Sequence, residues 1–130
     1  MSTFTDRIEF PALRDRRYPI HRLAKVVEPY LRIIVERFHP QKLVLFGSQA
    51  SGQPDEHSDV DLLVVRDGIA SEKQGVLEIL KAFRYVRGPR PPFTIVCRQP
   101  ETVAREMNVP GSTTSEIVER GVLMYDSTEN

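Results

Sequence analysis

The segment LVLFGSQASGQPDEHSDVDLLVV, residues 43–65, holds two apolar runs separated by a polar turn, and it restricts the fold more than any other stretch. Runs this short and apolar read as strands. Lys42–Phe46 is apolar enough to be covered on both faces, and Asp59–Val65 is expected beside it. Strand side chains alternate between faces, so Asp59 and Asp61 point the same way, about 6–7 Å apart along the strand. Two carboxylates side by side at a strand's open end repel each other unless a cation joins them. A hard divalent ion such as Mg²⁺ suits them, because it takes oxygen ligands and is usually held by one or two carboxylates plus substrate phosphates. Gly47 lets the backbone turn tightly, and Ser48 is placed to cap a short helix whose free N–H groups would face an anion. One edge for metal and one for phosphate implies a nucleoside triphosphate site.

The rest of the chain alternates helix and strand. Leu23, Val27, Tyr30, Leu31, Ile34 and Phe38 form a helical stripe over His21–Phe38, which Pro29 should kink or restart and Pro40 should end. Ser71 is expected to cap a helix running to about Tyr85, with Val76, Ile79, Leu80 and Phe83 inward. Phe93–Arg98 reads as a third strand, Pro100 as the start of a short helix to about Met107, and Thr113–Glu119 as a last helix stopped by Gly121. Val122–Tyr125 would close a single α/β domain with a mixed sheet flanked by helices. Residues 1–20 show no clean period and read as an N-terminal arm, 21–126 as the domain, and 127–130 as a tail.

Gly47-Ser48, ten intervening residues and Asp59-Val60-Asp61 resemble the signature of the DNA polymerase beta-type nucleotidyltransferase superfamily. The fuller string, with Ala50, Gly52, Ser58 and Leu62 in place, is similar to its smallest branch, the minimal nucleotidyltransferase (MNT) domains. Glu116–Tyr125 looks like that branch's closing helix, glycine and strand, so the resemblance covers roughly residues 20–126. It implies a polymerase beta-type nucleotidyltransferase fold. It also implies Asp59 and Asp61 as catalytic and metal-binding residues, with Gly47, Ser48 and Ser58 holding the nucleotide. Mg²⁺ or Mn²⁺ and a nucleoside triphosphate, ATP the expected donor, follow from the same resemblance. The reaction it implies is transfer of a nucleoside monophosphate to a protein or small-molecule hydroxyl, with pyrophosphate leaving.

The resemblance breaks at one position. Related domains are expected to carry a third carboxylate on the third strand, and Thr94 occupies its place in Pro92-Phe93-Thr94-Ile95-Val96-Cys97. That acid would complete a metal site and accept the attacking hydroxyl's proton, help typically worth ~10²–10⁴ in rate. Nucleotide binding is therefore expected to survive while transfer is slow or absent. Glu101 is the nearest acid in sequence, but it should lie past the strand's end. The alternative implied by the family is an antitoxin-type binding module that neutralises a small helical HEPN-type partner by occlusion.

Composition narrows the remaining classes. Lys+Arg and Asp+Glu are both 18, so no global charge steers the chain to nucleic acid. Five bases and no acid fall between Ile79 and Pro100 (Lys81, Arg84, Arg87, Arg90, Arg98), too scattered for duplex DNA. They read either as a solvated face or as contacts to triphosphate or to an acidic partner. Cys97, the single cysteine, lies in an apolar run and reads as a buried thiol. No apolar run is long enough for a membrane span, and a cytoplasmic location is expected. His57 borders the motif, whereas His21 and His39 flank helix ends and suit capping. Gly47-Ser48 lacks the lysine of a P-loop, and an Asp-x-Asp sugar-nucleotide transferase fails on length. A minimal domain without a companion substrate domain is expected to borrow surface from another chain, as a homo- or hetero-oligomer.

Overall fold

A four-stranded mixed sheet forms the centre of the molecule, built from β1 (Lys42–Phe46), β2 (Val60–Val65), β3 (Phe93–Arg98) and β4 (Val122–Asp126) in the order β3-β2-β1-β4. The structure, a computed structural model, describes residues 8–55 and 58–129. β1 runs antiparallel to both β2 and β4, and β2 runs parallel to β3. The helices are α1 (Ala24–Phe38), α2 (Ser48–Ser51), α3 (Glu72–Ala82), α4 (Pro100–Met107) and α5 (Thr113–Arg120). The α/β class and the mixed sheet are as the sequence pattern predicts.

Alternation along the strands divides the sheet into two unlike faces. Leu43, Leu45, Leu62, Val64, Ile95 and Cys97 enter a large core with Val27, Leu31 and Ile34 of α1 and Ile79 of α3. Val44, Leu63 and Val65 meet Ile117 of α5 in a smaller cluster, with Phe46, Val96 and Val103 at its margin. The second face is thinly covered, and its side chains near the strand ends reach solvent.

Local signals act as read. Ser71 caps α3 by accepting from the Gln74 N–H at 3.1 Å, Pro100 opens α4, and Gly121 follows α5. Pro29 lies within α1 on its exposed side, and the helix runs through it. Burial raises the Cys97 thiol to about 11, so the thiolate is scarce at neutral pH.

The segment before Pro19 is not a free arm over its described part. Ile8, Phe10, Leu13 and Ile20 are fully or almost fully buried in the main core, on and around two 3-10 turns, Pro11–Arg14 and Pro19–Leu23. Each turn starts at a proline, whose fixed φ suits a first helical position. Ser127–Glu129 also forms a 3-10 turn, held by the Ser127 N–H to the Gln41 carbonyl at 2.9 Å.

Candidate active site

Strand directions decide what meets at one rim. Phe46 ends β1 opposite Asp61 near the start of β2, and Asp61 pairs with Thr94 near the start of β3. Leu45 pairs with Val122, so the end of α5 arrives at the same rim. Gly47–Ser48, Asp59, Asp61, Thr94 and Arg120 therefore gather there from four separate stretches of chain. Asp61 and Thr94 share the thinly covered face with Leu63 and Val96.

The closest approach is between Gly47 and Asp61. A Cβ at position 47 would stand 2.2 Å from Oδ2 of Asp61, and Gly47 has φ +76°, a backbone region that disfavours side chains. Glycine is needed twice over, for the turn and for the space. Gly47 rather than Ser48 is the N-cap residue of α2, and Ser48 is its first helical residue. The serine-cap expectation is thus corrected: the positive φ needed to leave β1 excludes serine from the cap. The first N–H groups of α2 have no partner within the helix, as at any helix start.

Asp59 sits one residue before β2 rather than inside it, because regular pairing starts with Val60 against Phe93. Its Oδ2 accepts a 2.7 Å hydrogen bond from the Thr94 hydroxyl. Thr94 thus stands on the neighbouring strand and contributes a neutral hydrogen-bond donor. Burial raises the Asp61 pKa, the nearby Asp59 charge raises it further, and the Thr94 hydroxyl opposes both. The Asp59 charge acts on Asp61, so the two carboxylates are close enough to repel although Asp59 lies outside the strand. Two oxygen-only side chains beside a cradle that admits no Cβ fit a hard cation shared with a ligand's phosphates, but not an all-protein cage. Among the described residues, no group of three or more His, Cys, Asp or Glu could hold a metal ion.

Other sequence candidates lie elsewhere. Ser58 closes a turn with Asp55: its hydroxyl accepts from the Asp55 N–H at 2.9 Å and donates to the Asp55 carboxylate at 3.3 Å. His57 lies outside the described residues. Glu101 follows the far end of β3, and the four steps from Thr94 to Arg98 alone span about 13 Å. Arg98 is at that opposite rim, paired with Glu72 and Glu106, and Arg90 lies over the Phe83 ring at 5.3 Å. Lys81 and Arg84 line a separate groove with Arg37 and Tyr85. His21 Nδ1 lies 2.9 Å from the Tyr18 carbonyl, and His39 ends α1 in the left-handed region. Tyr30 is core, its ring edge-on to Phe83 at 4.9 Å.

The cation beside Gly47–Ser48 is one that sequence reasoning missed. Arg120 lines a cavity of about 300 Å³ together with Phe46, Gly47, Ser48, Ser51 and Glu116. Its guanidinium lies 3.9 Å from Glu116 and is largely exposed, a weak pairing that leaves it open to an anion. Gly121 positions it, since a Cβ there would stand 2.7 Å from the Leu45 carbonyl oxygen and 2.6 Å from Val44. Only a glycine lets the helix end press against β1.

A family model described as a nucleotidyltransferase domain matches residues 27–113, a span that holds the glycine–serine turn, both carboxylates and Thr94. The chain belongs to the nucleotidyltransferase domain family. A comparison with curated proteins finds no match. Nucleotidyltransferase domains act in general on nucleoside triphosphates with a divalent metal. The mixed sheet and its helices are consistent with the nucleotidyltransferase fold. No helix among the described residues is long and apolar enough to cross a membrane.

Proposed function

We propose that this nucleotidyltransferase domain binds a Mg²⁺–nucleoside triphosphate, ATP the expected donor, and passes nucleoside monophosphate slowly to a hydroxyl of a protein or small molecule. One observation carries the reading: Asp61 fills the space that a side chain at Gly47 would take, so the carboxylate pair and the glycine–serine turn form one continuous rim.

In this reading Asp59 and Asp61 supply the oxygen ligands, and Ser48 with the adjoining backbone holds the terminal phosphates. Arg120 adds positive charge beside them. The metal, when bound, offsets phosphate charge and lowers the barrier to in-line attack at the α-phosphorus. Thr94 fixes one oxygen of Asp59 through its hydrogen bond. As a neutral donor it does not take the attacking hydroxyl's proton, and loss of such help typically slows transfer by ~10²–10⁴.

The same feature favours a second reading. A domain that keeps a nucleotide cradle but has Thr94 in the acid's position suits a binding module that occludes a helical HEPN-type partner. Incubation with labelled ATP, Mg²⁺ or Mn²⁺ and a candidate partner separates the two. The first reading predicts slow labelling that vanishes in Asp59→Asn. Labelling that persists in that variant would refute the site, and tight partner binding without labelling selects the second reading.

A further inference from the structure

Between the end of α1 and the end of α3 lies a groove of about 510 Å³, lined by Arg37, Phe38, Lys81, Ala82, Arg84 and Tyr85. It shares no residue with the cavity at Gly47–Ser48, and it belongs to the side of the sheet that α1 and α3 cover. Asp61 and Thr94 are on the other side, so a molecule seated in this groove leaves the carboxylate rim open.

Charge around the groove is unbalanced. Arg14, Arg32, Arg66 and Arg98 each meet a carboxylate, whereas Arg37, Lys81 and Arg84 meet none among the described residues. Glu78, three residues before Lys81, is taken by the Arg66 guanidinium at 2.9 Å. The same guanidinium lies 4.4 Å from the centroid of the Phe38 ring, and that of Arg37 lies 4.4 Å from the centroid of the Tyr85 ring. Each aromatic wall is therefore held by a cation before any ligand arrives.

Apolar surface adds a second signal. Tyr85 is 70% exposed and Leu77 is 41% exposed. Leu77, Lys81 and Arg84 fall at i, i+4 and i+7, so one face of α3 and the turn after it shows solvent a mixed apolar and basic stripe. Cations without acids call for carboxylates or phosphates, and exposed apolar side chains beside them call for a partner that has its own apolar anchor.

We infer that this groove docks an acidic amphipathic helix of a partner protein, an inference that stands apart from the nucleotide reading above. An apolar side chain of that helix lies against Phe38, Leu77 and Tyr85. Carboxylates one helical turn away on the same face meet Arg37, Lys81 and Arg84. The apolar pair distinguishes this occupant from a nucleic-acid strand. Leu77 makes no favourable contact with a phosphate, and three cations neutralise too few phosphates for firm binding.

Selection of displayed peptides on the immobilised full chain tests the inference, with Lys81→Glu plus Arg84→Glu as the counter-selecting variant. Recovered sequences should carry Asp or Glu one helical turn from a Leu, Ile or Phe. A synthetic peptide of the recovered sequence, followed by fluorescence anisotropy, should bind the wild type and weaken as salt is raised. Its affinity should fall about tenfold or more for the double variant and for Leu77→Ser plus Tyr85→Ser. Replacing its acids by lysines should abolish binding to the wild type and restore it to the charge-reversed variant. Thermal melts confirm that each variant folds. A labelled oligouridine and sedimentation of the chain alone test the other occupants. The inference is overturned if the recovered peptides lack acids, or if the charge-reversed variant binds the acidic peptide as the wild type does. Oligouridine binding tighter than the peptide, or self-association lost in the double variant, would overturn it in favour of a nucleic-acid strand or a second copy.

Discussion

Gly47 and Asp61 occupy each other's space: the position of a Cβ on the glycine is 2.2 Å from the aspartate's Oδ2. Gly47→Ala must either strain a backbone held at φ +76° or push the carboxylate off the rim. Backbone strain of this kind costs about 1–3 kcal/mol. The expected outcome is a thermal midpoint a few degrees lower and Mg²⁺–ATP affinity reduced at least tenfold. Thermal melts and a binding titration on the same samples check both.

Thr94 is the point at which chemistry can be restored. Thr94→Asp should raise the transfer rate by ~10²–10⁴ if the acid's absence is what limits it. Thr94→Val should not, and should loosen Asp59 by removing the 2.7 Å bond. Rates measured with labelled ATP compare the three proteins. An already active protein that is indifferent to Thr94→Asp would show that another group takes the proton.

Asp61 carries a stability penalty of predictable sign. Its folded pKa is raised by burial and by Asp59, so the folded metal-free protein holds that proton more tightly than the unfolded chain. The group therefore favours folding below the ordinary carboxylate pKa, and this contribution is lost as pH rises through the raised folded value. At neutral pH the charged pair opposes folding. Asp61→Asn should raise the metal-free thermal midpoint at neutral pH, with the gain shrinking as pH falls through the carboxylate range, and should abolish Mg²⁺–ATP binding. Melts across that pH range check the sign.

Arg120 should matter to phosphates and to little else. It is largely exposed and only loosely paired, so Arg120→Ala should leave the melting temperature nearly unchanged. Affinity for Mg²⁺–tripolyphosphate should fall about tenfold, the scale of one charge-assisted hydrogen bond. Thermal melts and a Mg²⁺–tripolyphosphate titration on the same samples separate these effects.

These residues also mark how far the sequence is legible. Asp59 and Asp61 could be placed together because alternation along a strand is local geometry, and Ser71 and Gly121 because helix ends have their own chemistry. Arg120 could not be placed that way. Its position depends on β4 pairing antiparallel to β1, a contact between chain segments some eighty residues apart. Ile8, Phe10, Leu13 and Ile20 follow neither a helical nor a strand period, because short 3-10 turns bury apolar groups at irregular spacing.

The account's central claim is that the two rim carboxylates and the glycine–serine turn hold one Mg²⁺–triphosphate unit. Equilibrium binding of ATP with and without Mg²⁺ tests this most directly, in wild type, Asp59→Asn and Asp61→Asn. The account predicts binding that depends on Mg²⁺ in the wild type and is lost in both variants. Wild-type affinity retained in either variant, or unchanged when Mg²⁺ is removed, would contradict it.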